Sequence, residues 1–219
     1  MIGTALDAIG REESRIDIDI DACGVARAQP QAGAMGDIAI DAVTIGAFFK
    51  SGCDGKLFET DRPGFLLKET EPYGSMSPED ERGGEVECFQ AMYGEDAARR
   101  VGKDRFLLRK FPGVDIGDVY GELDIDDARN LLRKVAEMHA KGIAHRDITM
   151  TFGCLVKNVL FDRATREFYI IDFGASTFYT EEAMKRPPAI AQFTHEYAKV
   201  RESILEEIGL SGSAEADSV

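Results

Sequence analysis

Three short groups of residues, far apart along the chain, carry side chains of the kind that handle a phosphoryl group. Lys68 ends the apolar run Phe65-Leu-Leu; His145-Arg-Asp147 follows a long amphipathic stretch, with Asn158 opening the next apolar run; Asp172-Phe-Gly174 follows Tyr169-Ile-Ile. Moving the γ-phosphoryl group of ATP takes a cation on the α/β phosphates and acidic and amide oxygens on Mg2+. It also takes a carboxylate that orients the attacking hydroxyl and receives its proton. Lys68, then Asp147 with Asn158, then Asp172 supply those parts in that order. Ahead of Lys68, Lys50-Ser-Gly-Cys-Asp-Gly55 adds Gly52 and Gly55, where bare backbone N–H groups could approach phosphate oxygens. An ordinary hairpin turn would read the same way.

Those residues need elements to position them. Val43–Phe49, Lys56–Glu59 and Gly64–Lys68 are short apolar runs between turn signals, the pattern of an antiparallel sheet. Ser77-Pro78 followed by Glu79, Asp80 and Glu81 reads as a helix start: a capping hydroxyl, proline at the first helical position, and acids at the positive end of the dipole. Val86, Phe89 and Tyr93 then share a face, and Gly94 ends the helix. Arg105–Phe111 reads as a strand broken by Pro112-Gly113. Leu131, Leu132, Val135, Met138 and His139 mark a helix over about 124–141, with Gly142 as its stop. Two extended runs, 158–161 and 167–172, flank the turn Asp162-Arg-Ala-Thr-Arg, and a last helix is expected over about 191–208.

Composition narrows the classes. Hydrophobic residues make up 44% of 219 positions and include 13 Phe, enough for a core. A net charge of −14 opposes attraction to nucleic acid or anionic lipid, so neither is expected as a partner. No run of about 18 apolar residues suggests a membrane span, and the N-terminus lacks the charge and apolar pattern of a Sec signal. Cys23, Cys53, Cys88 and Cys154 have neither close pairing nor metal-ligand spacing, which reads as reduced thiols. Residues 1–36 read as a leader. It holds one alternating stretch, Arg15–Asp21, and ends in the turn-rich Gln29–Gly36. No internal repeat is present.

With its motifs in this order, the chain resembles the protein kinases. Phe65-Leu-Leu-Lys68 is similar to the strand-borne Val-Ala-Ile-Lys. Met138-His-Ala-Lys-Gly-Ile-Ala-His-Arg-Asp147 resembles the helix end entering the catalytic loop, and Tyr169-Ile-Ile-Asp-Phe-Gly174 resembles the metal-binding segment. The resemblance covers roughly residues 43–208 and implies an α+β, minimal two-lobed protein-kinase-like fold. A small antiparallel-sheet N-lobe would span 37–110, a truncated helical C-lobe 111–208, and a disordered tail 209–219.

Residue by residue, the resemblance implies that Lys68 meets the α/β phosphates and is held by a helix carboxylate. Glu85 is the candidate: Cys88 and Phe89 follow at i+3 and i+4, which puts it on the inward edge of its helix. Asp147 would be the catalytic base, with Asn158 and Asp172 on Mg2+. Gly52 and Gly55 match the second and third glycines of the phosphate loop, with Lys50 in place of the first. Backbone groups near Lys110 and Phe111, at the expected hinge, would meet adenine. His139 and His145 are expected to support the core, and Arg146 to cap local backbone.

Two departures stand out. Asp147 and Asn158 are eleven apart where kinases place five, as though Thr151-Phe-Gly-Cys-Leu-Val156 were inserted in the catalytic loop. Such an insertion could bulge outward or carry Asn158 off the metal. Only 45 residues follow Gly174, and no Ala-Pro-Glu appears. The chain thus resembles the minimal effector kinases of bacterial pathogens, the HopBF type and the OspG and NleH type; Glu85–Gly94 and Lys110–Ile116 look like the corresponding segments. That resemblance implies a monomeric protein serine/threonine kinase, exported by a type III secretion system into the host-cell cytoplasm. Its substrate would be a host protein, either the ninety-kilodalton heat-shock chaperone or a ubiquitin-charged conjugating enzyme. A pseudokinase acting as a binding module and a small-molecule phosphotransferase are the alternatives.

Overall fold

In the computed structural model, residues 43–52, 55–70, 78–149 and 155–213 are described. The leader with its Arg15–Asp21 stretch, Cys23, Cys53, Asp54, the capping Ser77, residues 150–154 and the end of the tail lie outside them.

Strands β1 (Ile45–Gly52), β2 (Gly55–Thr60) and β3 (Phe65–Glu69) form an antiparallel meander close to the predicted runs. Helix α1 (Pro78–Tyr93) follows, stopped by Gly94 at φ 96°. Strands β4 (Ala98–Gly102) and β5 (Arg105–Arg109) complete a five-stranded sheet in the order β1-β2-β3-β5-β4. β3 lies in its middle, and Phe65, Leu66, Leu67 and Lys68 are all buried. A strand covered on both faces has no need to alternate, which is why Phe-Leu-Leu reads as a continuous run. β4 is absent from the sequence reading because Ala-Arg-Arg-Val-Gly has no apolar run. As an edge strand it buries only Ala98, and the Arg100 guanidinium covers the Phe106 ring at 4.9 Å. β5 ends at Arg109, two residues before the expected limit: Pro112 has no N–H to give a ladder, and Gly113 turns the chain at φ 111°.

The second half is built around a long helix. Short strand β6 (Val114–Asp115) leads through two 3-10 turns to α2 (Ile125–Ala140), which starts on a capping box formed by Asp124 and Asp127. Strands β7 (Ile143–Ala144), β8 (Val159–Asp162), β9 (Glu167–Ile170) and β10 (Thr177–Phe178) follow, in the pairings β6-β8-β9 and β10-β7. The single turn α3 (Glu181–Met184) precedes α4 (Pro187–Glu207). α4 begins four residues before the expected start because Pro187 and Pro188 take the first helical positions, where a missing N–H costs nothing. One continuous core runs from Val86 and Phe89 of α1 through Phe173 to Leu131, Val135 and Met138 of α2 and Val200 and Ile204 of α4. Among the described residues no helix is long and apolar enough to cross a membrane.

Candidate phosphoryl-transfer site

Lys68 sits where the two halves meet. Its ammonium donates to Glu85 Oε1 and to Asp172 Oδ1, both at 2.7 Å. Glu85 is 1% exposed and the Lys68 side chain 7%, whereas the Asp172 side chain is 35% exposed. Burial alone would lower the Lys68 pKa, but the two carboxylates outweigh it and hold the amine well above its usual range. Burial would likewise raise Asp172, and Lys68 reverses the direction and keeps it ionised. Glu85 reaches Lys68 because α1 presents it on the same side as buried Cys88 and Phe89.

The loop carrying Asp147 is held from beneath by a residue that the sequence reading missed. Glu196 of α4 is 4% exposed and accepts from the N–H of His145 at 3.0 Å, the N–H of Arg146 at 2.6 Å and Nε2 of His139 at 2.9 Å. His145 donates from Nε2 to the Ile171 carbonyl at 2.9 Å and accepts the Asp147 N–H on Nδ1 at 3.3 Å. Burial pushes its pKa down, so it is neutral and structural, as expected. The Arg146 guanidinium is exposed and reaches the Thr177 hydroxyl at 3.4 Å rather than backbone; the capped group is its own N–H. Nothing in the sequence marked Glu196, one acid among 40, because its role depends on a helix fifty residues away packing under the loop.

The extra residues after Asp147 leave and return through a closed neck. Thr149 and Val156 form an antiparallel bridge, the Lys157 N–H donates to the Ile148 carbonyl at 2.8 Å, and the Tyr120 hydroxyl donates to the Val156 carbonyl at 2.8 Å. Asn158 therefore comes back to the site: its amide donates to the Asp147 carbonyl at 2.9 Å and to Oδ2 at 3.1 Å. Lys157, also missed in the sequence, takes Oδ1 at 2.6 Å. Both Asp147 oxygens are thus held. Arg146, Asn158 and Asp172, three of the four non-glycine residues with positive φ among those described, flank the site. Such conformations cost about 1–3 kcal/mol each and persist where surrounding contacts enforce them.

The two glycines close the β1–β2 pair. Gly52 pairs with Gly55 at the end of β1 and β2, and a Cβ on Gly55 would fall 2.2 Å from the Glu69 carbonyl oxygen. Packing against β3 is therefore reason enough for Gly55. Of the hinge residues, Lys110 commits its N–H to the Gly64 carbonyl at 2.8 Å, and its ammonium to Glu59 at 2.8 Å. Of the backbone groups near Lys110 and Phe111 expected to meet adenine, the Lys110 N–H is thus engaged within the sheet. The Phe111 ring turns inward, stacked on Tyr169 at 4.6 Å and close to Tyr93 at 4.4 Å.

No family profile and no curated protein matches the sequence. Solved structures do match in shape, 939 chains of them, so the likeness does not hang on one neighbour. One is the kinase PK-1 of Cydia pomonella granulovirus, with a TM-score of 0.51 at 14% identity over 77% of this chain and 69% of that one. The chain has a protein-kinase-like fold. In a kinase-like fold of this size the metal need not have a protein cage, since Mg2+ keeps its waters and leans on one or two protein oxygens plus phosphate. Among the described residues no group of three His, Cys, Asp or Glu forms such a cage. The donor set fits: Asp172 is ionised and only partly buried, with Oδ1 on Lys68, and Asn158 spends its amide nitrogen on Asp147, which leaves its carbonyl oxygen to accept or coordinate.

Proposed function

We propose that this chain is an ATP- and Mg2+-dependent protein kinase that phosphorylates serine or threonine. The observation that carries the reading is the Lys68 ammonium held between Glu85 and Asp172, with Asp147 clasped by Asn158 and Lys157 and joined to the same segment through His145. ATP with Mg2+ supplies the transferable phosphoryl group and the charge that offsets its oxygens. Lys68 then binds the α/β phosphates, with Glu85 fixing its direction. Asp172 and Asn158 hold the metal. Asp147 orients the acceptor hydroxyl and takes its proton. The substrate would be a host protein, the ninety-kilodalton heat-shock chaperone or a ubiquitin-charged conjugating enzyme, reached after export into the host-cell cytoplasm. Support for this comes from the likeness of Glu85–Gly94 and Lys110–Ile116 to the minimal effector kinases.

Purified protein incubated with labelled ATP and Mg2+ tests the reading against the Asp172→Ala variant. Wild type should label itself, a lysate protein or one of the two purified candidates on serine or threonine, and the variant should not. Nucleotide-dependent thermal stabilisation without transfer would replace the reading with a pseudokinase, and transfer to an aminoglycoside would replace the substrate class.

A further inference from the structure

Lys68 is held by two carboxylates on separate elements, so its position depends on what fixes α1 against β9. Glu85 lies on α1, and Asp172 lies two residues beyond the end of β9. Tyr93, at the last position of α1, sits eight residues or roughly 12 Å along the helix from Glu85. Its hydroxyl donates to the Ile170 carbonyl at 2.7 Å and accepts the Ile170 N–H at 2.7 Å. β9 pairs on its other side with β8, so one phenol satisfies both backbone groups of Ile170 on the open edge of this strand. Burial pushes the phenol pKa up, which keeps the donating proton in place. Further contacts converge on the same helix end. The last turn of α1 has no basic residue of its own, and Lys141 at the end of α2 donates to the Ala91 carbonyl at 2.8 Å, while Lys134 lies 5.7 Å from the Tyr93 ring centre.

We propose that Tyr93 is a positioning residue for phosphoryl transfer. Through its two hydrogen bonds to Ile170 it sets the distance between the helix that carries Glu85 and the segment that carries Asp172, and so holds Lys68. The contacts form a closed circuit: Lys68 to Glu85, along α1 to Tyr93, across to Ile170, on to Asp172 and back to Lys68. The proposal rests on the kinase reading.

The test is Tyr93→Phe, which keeps the ring and its packing and removes only the hydroxyl. In the full-length protein, kcat/KM for ATP should fall about tenfold. In a Glu85→Gln background, where Lys68 has already lost that anchor, the same substitution should cost less than about twofold, because residues acting through one interaction are not additive. A second readout needs no activity. Cys88, 0% exposed on α1, should be alkylated faster in Tyr93→Phe when labelling is followed by peptide mass mapping under native conditions. Unchanged kcat/KM with unchanged Cys88 labelling in an active enzyme overturns the proposal, as does an equal loss in both backgrounds. A wild type that transfers no phosphate overturns the kinase reading itself and the role built on it, whatever Cys88 does.

Discussion

Glu196→Gln is the substitution whose cost can be worked out most directly. The native carboxylate accepts three hydrogen bonds, one on Oε1 from Arg146 and two on Oε2 from His145 and His139. An amide has one acceptor oxygen. Placing that oxygen at Oε2 keeps two bonds and sets the new NH2 against the Arg146 N–H; the opposite orientation loses two bonds. The cheaper choice forfeits one charge-assisted bond, about 1.5–3 kcal/mol, and weakens two others to neutral strength. The sum is about 3–5 kcal/mol, which for a domain of this size lowers Tm by roughly 6–20 °C. Activity should fall as well, because Arg146 stays at φ 64° only while its N–H is held. The loss also depends on pH. Burial would raise the Glu196 pKa, but the bonds from His139 and Arg146 outweigh it and lower it below the ordinary 4.5. A depressed carboxyl stabilises above its unfolded value, and that stability drains away as pH falls through the folded value. The Tm gap between wild type and variant should therefore be full at pH 7, begin to narrow below the ordinary carboxyl value of 4.5, and close as pH falls through the lower folded value. Circular dichroism melts across that range decide it. A gap under 2 °C at neutral pH, or one that does not shrink in acid, would refute the account.

Other outcomes follow from the same geometry. Gly55→Ala places a Cβ 2.2 Å from the Glu69 carbonyl at φ 150°, and should lower stability by about 1–3 kcal/mol, seen as a lower urea midpoint at unchanged m-value. Cys88, whose thiol is pushed up to about 12 chiefly by burial, should resist disulfide reagents at pH 8 in the native protein and react once urea unfolds it. Deleting Thr151–Val156 removes buried Val156 and the acceptor of the Tyr120 hydroxyl, and should cost about 2–4 kcal/mol by chemical denaturation.

What could be read from the sequence was whatever is local. Lys68, Asp147 and Asp172 stand in short contiguous patterns, and α2 announces itself through its apolar period and the glycine that stops it. Glu85 was accessible because helical geometry ties it to Cys88 and Phe89. The misses all depend on distant partners. Glu196 is defined by a loop fifty residues upstream, Lys157 by the return of a chain excursion, and Tyr93 by the open edge of a strand 77 residues away. β4 has no apolar signature because an edge strand with cationic cover needs none. The early start of α4 shows the other limit: a proline pair left out of the expected helix is what begins it.

The bridge between Thr149 and Val156 separates two things that are usually coupled, the length of a catalytic loop and the placement of the residue that ends it. Once that neck is closed, the place of Asn158 is set by the Thr149–Val156 bridge and the Lys157–Ile148 hydrogen bond. Lengthening the chain between Thr149 and Val156 then costs closure entropy, about 0.6 kcal/mol for each doubling. Asn158 would not register the change. An epitope, a fluorophore-bearing peptide or a protease site inserted between Thr149 and Val156 should therefore leave the spacing of Asp147 and Asn158 to Lys157 and the neck.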